Sequence, residues 1–208
     1  MMPRRLVIAT HNAHKTAEFR ALLGPEWLVE DVSSHPTLGA PEENGSTFED
    51  NATIKALAAS TVLGPEVLVV ADDSGLEVDA LGGRPGIYSA RYAGPGAGDR
   101  GNLDKVLAEL AAAGVRGKDR RGRFRCVLVL ARGTEKLGAF SGAVEGILAN
   151  EAKGEGGFGY DPAFIPDGYC ETFGQLPAEV KNQLSHRARA LQGLREFLQQ
   201  MEGSAATA

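Results

Sequence analysis

The stretch EVLVVADDSG, residues 66–75, follows a Gly64-Pro65 turn and carries the reading of the fold. From Glu66 to Ala71 it is short, Val-rich and apolar, the pattern of a buried strand. Asp72-Asp73-Ser74-Gly75 comes next without a break. The strand is therefore expected to deliver two acids at its carboxyl end, where α/β sheets favour ligand sites. Two carboxylates about 4 Å apart would repel by roughly 4 kcal/mol at an effective dielectric of ~20. A hard cation would relieve that repulsion, and Mg2+ takes one or two carboxylates together with phosphate oxygens. The plainer alternative is an acidic turn at a strand end.

Strands and helices alternate on either side of this stretch. Residues 6–9 (LVIA) form a short apolar strand, and residues 15–23 place Phe19, Leu22 and Leu23 at helical spacing before a Gly24-Pro25 stop. Residues 27–32 fit a second strand, and residues 33–45, rich in Ser, Pro, Gly and acid, a loop. Ser46-x-x-Glu49 has the capping-box pattern and opens a helix to about Leu63, with Phe48, Ala52, Ala56, Ala59 and Val62 along one stripe. Residues 102–113 read as an amphipathic helix through Leu103, Val106, Leu107 and Leu110, and residues 124–131 and 136–147 as strands. Pro177 fits the first position of a helix. Ser185 fits the N-cap of a last helix with Leu191, Leu194, Leu198 and Met201 on one face. The early alternation and later pairing of strands predict an α/β fold with a mixed central sheet and flanking helices. A single domain over residues 1–201 is expected, with 202–208 as a frayed tail.

Composition narrows the function. The 208 residues are 43% hydrophobic and 24% charged, which excludes disordered, collagenous and coiled-coil chains and leaves room for a real core. The net charge of −5 argues against general nucleic-acid binding, because phosphate affinity comes from Lys and Arg. An anionic ligand would need its cations gathered locally. Cys126 and Cys170 form no C-x-x-C, so neither a disulfide scaffold nor a zinc site is indicated. Cys126, in the apolar run CVLVLA, reads as a buried small hydrophobe. No apolar run approaches the ~20 residues of a membrane span, and LVIA is too short for a signal-peptide core. No membrane association and a cytoplasmic location are expected.

Several segments carry chemistry. Thr10-His11-Asn12-Ala13-His14-Lys15 joins the first strand to the first helix. Such a junction offers free backbone N–H groups and a positive dipole end to a phosphate, and Lys15 adds a full charge. It is not a Walker loop. Glu42-Glu43-Asn44-Gly45 supplies acids just before the second helix, as a solvated turn or as a source of an oxygen ligand. Asn51 and Lys55 are four apart on that helix; Lys55 lies beside the apolar stripe and either snorkels or points at an anion. Gly154-Glu155-Gly156-Gly157-Phe158-Gly159-Tyr160-Asp161 is a glycine-rich loop, either a tight hairpin with a core Phe or a close approach to a ligand with Phe158 as a flat face. Lys181, His186 and Arg187 bracket the start of the last helix, where cations oppose the dipole unless an anion or electron-rich group neutralises them. Residues 116–125 hold six basic side chains, with Arg121, Arg123 and Arg125 on one strand face. Without interleaved aromatics, a solvated loop running into a strand is the better reading than a nucleic-acid patch.

Taken in order, the blocks ATHNAHK, ENGSTFEDNATIKA, VVADDSGLEVDALGGRPGIYSARYAG, GGFGYDPAF and EVKNQLSHRARAL resemble the inosine triphosphate pyrophosphatase family, the Ham1-like noncanonical purine NTP pyrophosphatases. The resemblance spans residues 5–195. It implies an elongated, two-lobed Ham1/Maf-like fold with a nucleotide cleft, and hydrolysis of ITP, dITP and XTP to the monophosphate and pyrophosphate, cleansing the nucleotide pool. It also implies Mg2+ and a homodimer. By resemblance, Thr10, His11, Asn12, Ala13, His14 and Lys15 would hold the phosphates, with Lys55 near them. Glu43 and Asp73 would bind the metal, Asp73 would also accept the proton, and Asp72 would be a supporting acid or further ligand. Ser74 would contact substrate, and Phe158, Gly159, Tyr160, Asp161, Lys181, His186 and Arg187 would form the base pocket. The chain departs from the family pattern at His11, His14, Gln175 and Ala188, none of which is a proposed catalytic group. A Maf-like pyrophosphatase, a non-catalytic nucleotide sensor and a nucleic-acid binder are the rival readings.

Overall fold

The computed structural model describes residues 4–205, with side chains through Met201. Six strands, β1 (Arg4–Ile8), β2 (Trp27–Asp31), β3 (Leu68–Val78), β4 (Arg121–Arg132), β5 (Glu135–Leu148) and β6 (Phe164–Pro166), are hydrogen-bonded in the order β2-β1-β3-β4-β5-β6. Five α-helices accompany them: α1 (Ala13–Leu23), α2 (Phe48–Leu63), α3 (Gly98–Ala112), α4 (Ala178–Leu184) and α5 (His186–Ala205). β1 pairs in parallel with both β2 and β3, each crossover carrying a helix. Two residues, Gly133 and Thr134, join β4 to its sheet neighbour β5, a link short enough only for an antiparallel pair. β5 and β6 are also antiparallel. The sheet is mixed, as the sequence pattern predicts.

The chain divides into two compact units. The first contains the described parts of Met1–Asp73, Cys126–Gly142 and Arg187–Ala208. Its core joins Leu6 and Ile8 of β1, Phe19 and Leu23 of α1, Val29 of β2, Val70 of β3, Leu128 and Leu130 of β4, and Leu191, Leu194 and Leu198 of α5. The second comprises Ser74–Arg125 and Ala143–His186. Its core is more aromatic: Phe124, Tyr160, Phe164 and Phe173 pack with Leu76, Val78, Leu103, Val106 and Leu110. Each unit thus removes its own apolar surface from water, the dominant favourable term in folding.

Several local expectations shift. β3 does not stop before the acids. It runs on to Val78, with Leu76 and Val78 buried, so Asp72 and Asp73 lie within a strand and not at its carboxyl end. The capping box of α2 is one residue later than expected. Thr47 is the N-cap, its Oγ1 accepts the Asp50 N–H at 3.1 Å, and Asp50 does the reciprocal work assigned to Glu49. Val62 is 59% exposed because it lies about 120° round the helix from Ala56; Ser60 is buried in its place and donates to the Gly133 carbonyl at 2.7 Å. α3 starts at Gly98, earlier than residue 102, because the weak helix formers Gly98 and Gly101 hide its first turn. Pro177 is the N-cap of α4 and not its first helical residue; Ser185 stands where expected, immediately before α5, and is at the same time the C-cap of α4. Residues 202–205 continue α5; residues 206–208 of the expected tail lie outside the described residues.

Candidate active site

Successive side chains on a strand point to opposite faces of the sheet. Asp72 therefore shares the face of Val70, toward α1 and α5, while Asp73 turns to α2. The two carboxylates do not confront each other, and their mutual repulsion is not what calls for a cation. Each has its own positive partners.

Asp72 is fully buried. Lys15 of α1 donates to its Oδ1, Arg187 Nε to its Oδ2 at 2.7 Å, and the Cys126 thiol to the same oxygen at 3.3 Å. Burial alone would raise the Asp72 carboxyl, but the charges of Arg187 and Lys15 overcome it and hold the group well below its ordinary value. Burial, with the Asp72 charge beside it, pushes the Cys126 thiol well up, so this cysteine is inert packing as its apolar run suggests. Arg187 also pairs with Glu18 of α1. Glu18 was not legible as a site residue. The only signal was its position three residues after Lys15 on the same helix face.

Asp73 is more open, at 7% exposed. Its Oδ1 accepts from Lys55 Nζ at 2.7 Å, and its Oδ2 is buried without a hydrogen-bond partner among the described residues. Burial raises its carboxyl above the ordinary value despite the Lys55 charge. Lys55 Nζ also lies 3.5 Å from Glu43 Oε1, so one ammonium gathers two carboxylates from a strand and a loop. The described residues contain no cluster of three or more His, Cys, Asp or Glu side chains that could cage a metal. A pair of carboxylates with one unsatisfied oxygen nonetheless fits a hard ion such as Mg2+, which completes its shell with water and phosphate oxygens.

The Thr10–Lys15 junction is less open than expected. The Asn12 side chain caps α1 by accepting the N–H groups of His14 and Lys15 at 2.9 and 3.2 Å, and Thr10 Oγ1 accepts the Asn12 N–H at 3.1 Å. His11, Ala13 and His14 are exposed there, and Lys15 is tied to Asp72.

In the second unit, the glycine-rich loop is organised by Asp161. Its Oδ2 accepts the Phe158 N–H at 2.8 Å and Lys181 Nζ at 2.6 Å, both acid and lysine being buried. Lys181 Nζ stands 4.5 Å from the Phe158 ring centroid, a cation–π distance. Gly157 has φ +71°, and a Cβ there would stand 2.1 Å from Asp161 Oδ2, so the loop closes on the carboxylate only with glycine. Asp99 of α3 accepts the Gly159 N–H at 2.9 Å, a support the sequence reading missed. Tyr160 is a core residue whose hydroxyl donates to the Ser89 carbonyl at 2.8 Å, and His186 stacks on Phe124 with centroids 4.9 Å apart. Ser74, half-buried on β3, begins this unit. Arg187 pairs with Asp72 and Glu18 in the first unit.

Three arginines of the basic run 116–125 meet acids within the second unit. Arg121 pairs with Asp167 at 2.7 Å, Arg123 with Glu145 and Asp79 at 2.9 Å each, and Arg125 lies 3.9 Å from Glu77. Arg120 is buried, its guanidinium donating to the carbonyls of Leu148 and Ala149.

The Ham1 family model matches residues 6–197. The chain belongs to the Ham1 family. A dITP/XTP pyrophosphatase of Shouchella clausii is 45% identical over 194 residues, covering 93% of this chain and 96% of that protein. One of Bacillus subtilis is 45% identical over 199 residues, covering 94% and 98%. Among solved structures, a Staphylococcus aureus Ham1 protein matches with a TM-score of 0.82 and 41% identity, covering 95% of this chain and all of that one. A Coxiella burnetii HAM1 protein matches with a TM-score of 0.83 and 37% identity over 95% and 99%. No helix among the described residues is long and apolar enough to cross a membrane.

Proposed function

We propose that this Ham1 protein hydrolyses dITP, ITP and XTP to the nucleoside monophosphate and pyrophosphate, with Mg2+ as cofactor and as a homodimer. Relatives 45% identical over nearly their full length bear the name dITP/XTP pyrophosphatase, which supports the substrate class. The observation that carries the chemistry is the Asp73 carboxylate: one oxygen on Lys55, the other buried without a partner, with Glu43 on the same lysine.

A nucleoside triphosphate carries about four negative charges, and a chain of net charge −5 must meet them with local cations. Glu43 and Asp73 would hold the Mg2+, which when bound polarises a phosphoryl oxygen and lowers the pKa of water. Lys55 supplies charge beside the two acids, and Lys15 supplies it at the start of α1. Water attacks phosphorus, the anhydride P–O bond breaks toward pyrophosphate, and Asp73 takes the water's proton.

Selection falls to the Lys181 set. Hypoxanthine and xanthine present a 6-oxo acceptor to donors from Lys181 and nearby backbone N–H groups, with the Phe158 ring as a flat face. Adenine presents a 6-amino donor and leaves those donors unmatched, at about 1–3 kcal/mol for each. Two mismatches correspond to roughly 10²–10⁴ in kcat/KM. The test is a panel of ITP, XTP, ATP and GTP with product identification. Monophosphate and pyrophosphate from ITP and XTP, with ATP at least about a hundredfold slower, is the expected result. Equal turnover of ATP, or release of diphosphate and phosphate, contradicts the reading.

A further inference from the structure

Asn51 stands on α2 one turn before Lys55 and is 0% exposed. Its Oδ1 accepts the Gly45 N–H at 2.9 Å, while its Nδ2 is buried with no hydrogen-bond partner among the described residues. An aliphatic side chain of similar size would bury no such donor, so stability alone does not account for an amide here. The neighbouring Asp50 continues the attachment. Its Oδ2 accepts from the Ser46 N–H at 3.2 Å, the Ser46 hydroxyl at 3.0 Å and the Thr47 N–H at 3.0 Å. Residues 45–47 are thereby fastened to the first turn of α2. The approach at Gly45 is tight: a Cβ there would stand 2.5 Å from Asp50 Cβ and 2.7 Å from Asn51 Oδ1. Glu43 lies two residues upstream and brings its carboxylate to Lys55. Positions 51 and 55, four apart on one helix face, therefore hold the same loop, one by its backbone and the other by its carboxylate.

We propose that Asn51 is a positioning residue: by holding Gly45 it fixes Glu43 as the second carboxylate, beside Asp73, for a divalent cation. This rests on the reading of Glu43 and Asp73 as the cation pair. Partners of this kind, which orient a ligating carboxylate without touching the ion, are worth about 10–100-fold in metal affinity. Asn51→Leu removes the acceptor, whereas Asn51→Asp keeps an oxygen for the Gly45 N–H.

The experiment is a Mn2+ titration of the full chain without nucleotide, followed by the electron paramagnetic resonance of free Mn2+, with thermal unfolding in parallel. Asn51→Leu is expected to bind Mn2+ at least about tenfold more weakly, and Asn51→Asp to bind within about threefold of the parent chain or tighter. In turnover, the Mg2+ needed for half-maximal rate rises in Asn51→Leu while kcat at saturating Mg2+ changes by less than about threefold. If Asn51→Leu does not fold, Gly45→Ala strains the same bond from the loop side and is expected to show the same loss. Unchanged Mn2+ affinity in Asn51→Leu or in a folded Gly45→Ala, or an Asn51→Asp as weak as Asn51→Leu, overturns the assignment to Asn51 alone. A parent chain that takes up no Mn2+ overturns the cation reading itself.

Discussion

Asp72 accepts hydrogen bonds from Lys15, Arg187 and Cys126, and its carboxyl lies well below 3.8 although burial alone would raise it. A depressed carboxyl contributes stability above its unfolded value, and that contribution is lost as pH falls through the folded value. Asp72→Asn should therefore lower the unfolding free energy by roughly 3–5 kcal/mol at neutral pH, the cost of breaking a buried pair. Urea unfolding at a series of pH values checks this. The deficit relative to the parent chain should shrink as pH falls below 3.8 toward the depressed folded value, because protonation then removes from the parent chain the pairs that the variant lacks at every pH. A deficit unchanged down to the lowest accessible pH counts against the pairing. The DDSG motif was legible as a place of chemistry. That its two acids turn to opposite faces was not, because strand propensity is low for Asp and the pair looks like the end of a strand. Leu76 and Val78, continuing the alternation, carried the missing signal.

Elements were legible where periodicity is long and obscure where caps compete. α5 was readable from Leu191, Leu194 and Leu198, all buried in the first core. The start of α2 was off by one because Ser46 and Thr47 are both good caps, and only the Asp50 carboxylate, which accepts from both, selects Thr47. The loop before Asp161 was legible as a set of glycines but not by the job of each. Gly157 is required by its positive φ and by the 2.1 Å approach to Asp161, so Gly157→Ala must displace the carboxylate that holds Lys181. The expected result is a fall of at least about tenfold in the ITP-to-ATP ratio of kcat/KM, with a loss of stability of about 1–3 kcal/mol from the strained backbone. An unaltered ratio in a folded variant removes this loop from base selection. Parallel kinetics with the two nucleotides and thermal unfolding provide both numbers.

Across the whole molecule, the acidic balance and the alternation of strands and helices were sufficient to expect a mixed α/β sheet with cations gathered locally. Which cations meet which acids was not readable. Helical and strand periods say which face a side chain takes, but not what the other elements bring to it. Lys15 with Glu18, Asp72 and Arg187 come from three places in the chain and join only in the folded first unit, and the arginines at 121, 123 and 125 look like a basic patch until Asp167, Glu145, Asp79 and Glu77 are placed beside them. In the proposed reaction Asp73, with Glu43, gathers a divalent ion and takes the proton from the attacking water. A raised carboxyl contributes stability that is full below its ordinary value and is lost as pH rises through the raised folded value, so removing the Asp73 charge should not destabilise the chain at neutral pH. The most direct measurement is pyrophosphate release from ITP by the parent chain and by Asp73→Asn, each with and without Mg2+, alongside their thermal unfolding. Mg2+-dependent release that falls about 10²–10⁴-fold in Asp73→Asn, with the unfolding temperature equal or higher, is the predicted result; release by Asp73→Asn near the parent rate, or equal rates with and without Mg2+, contradicts it.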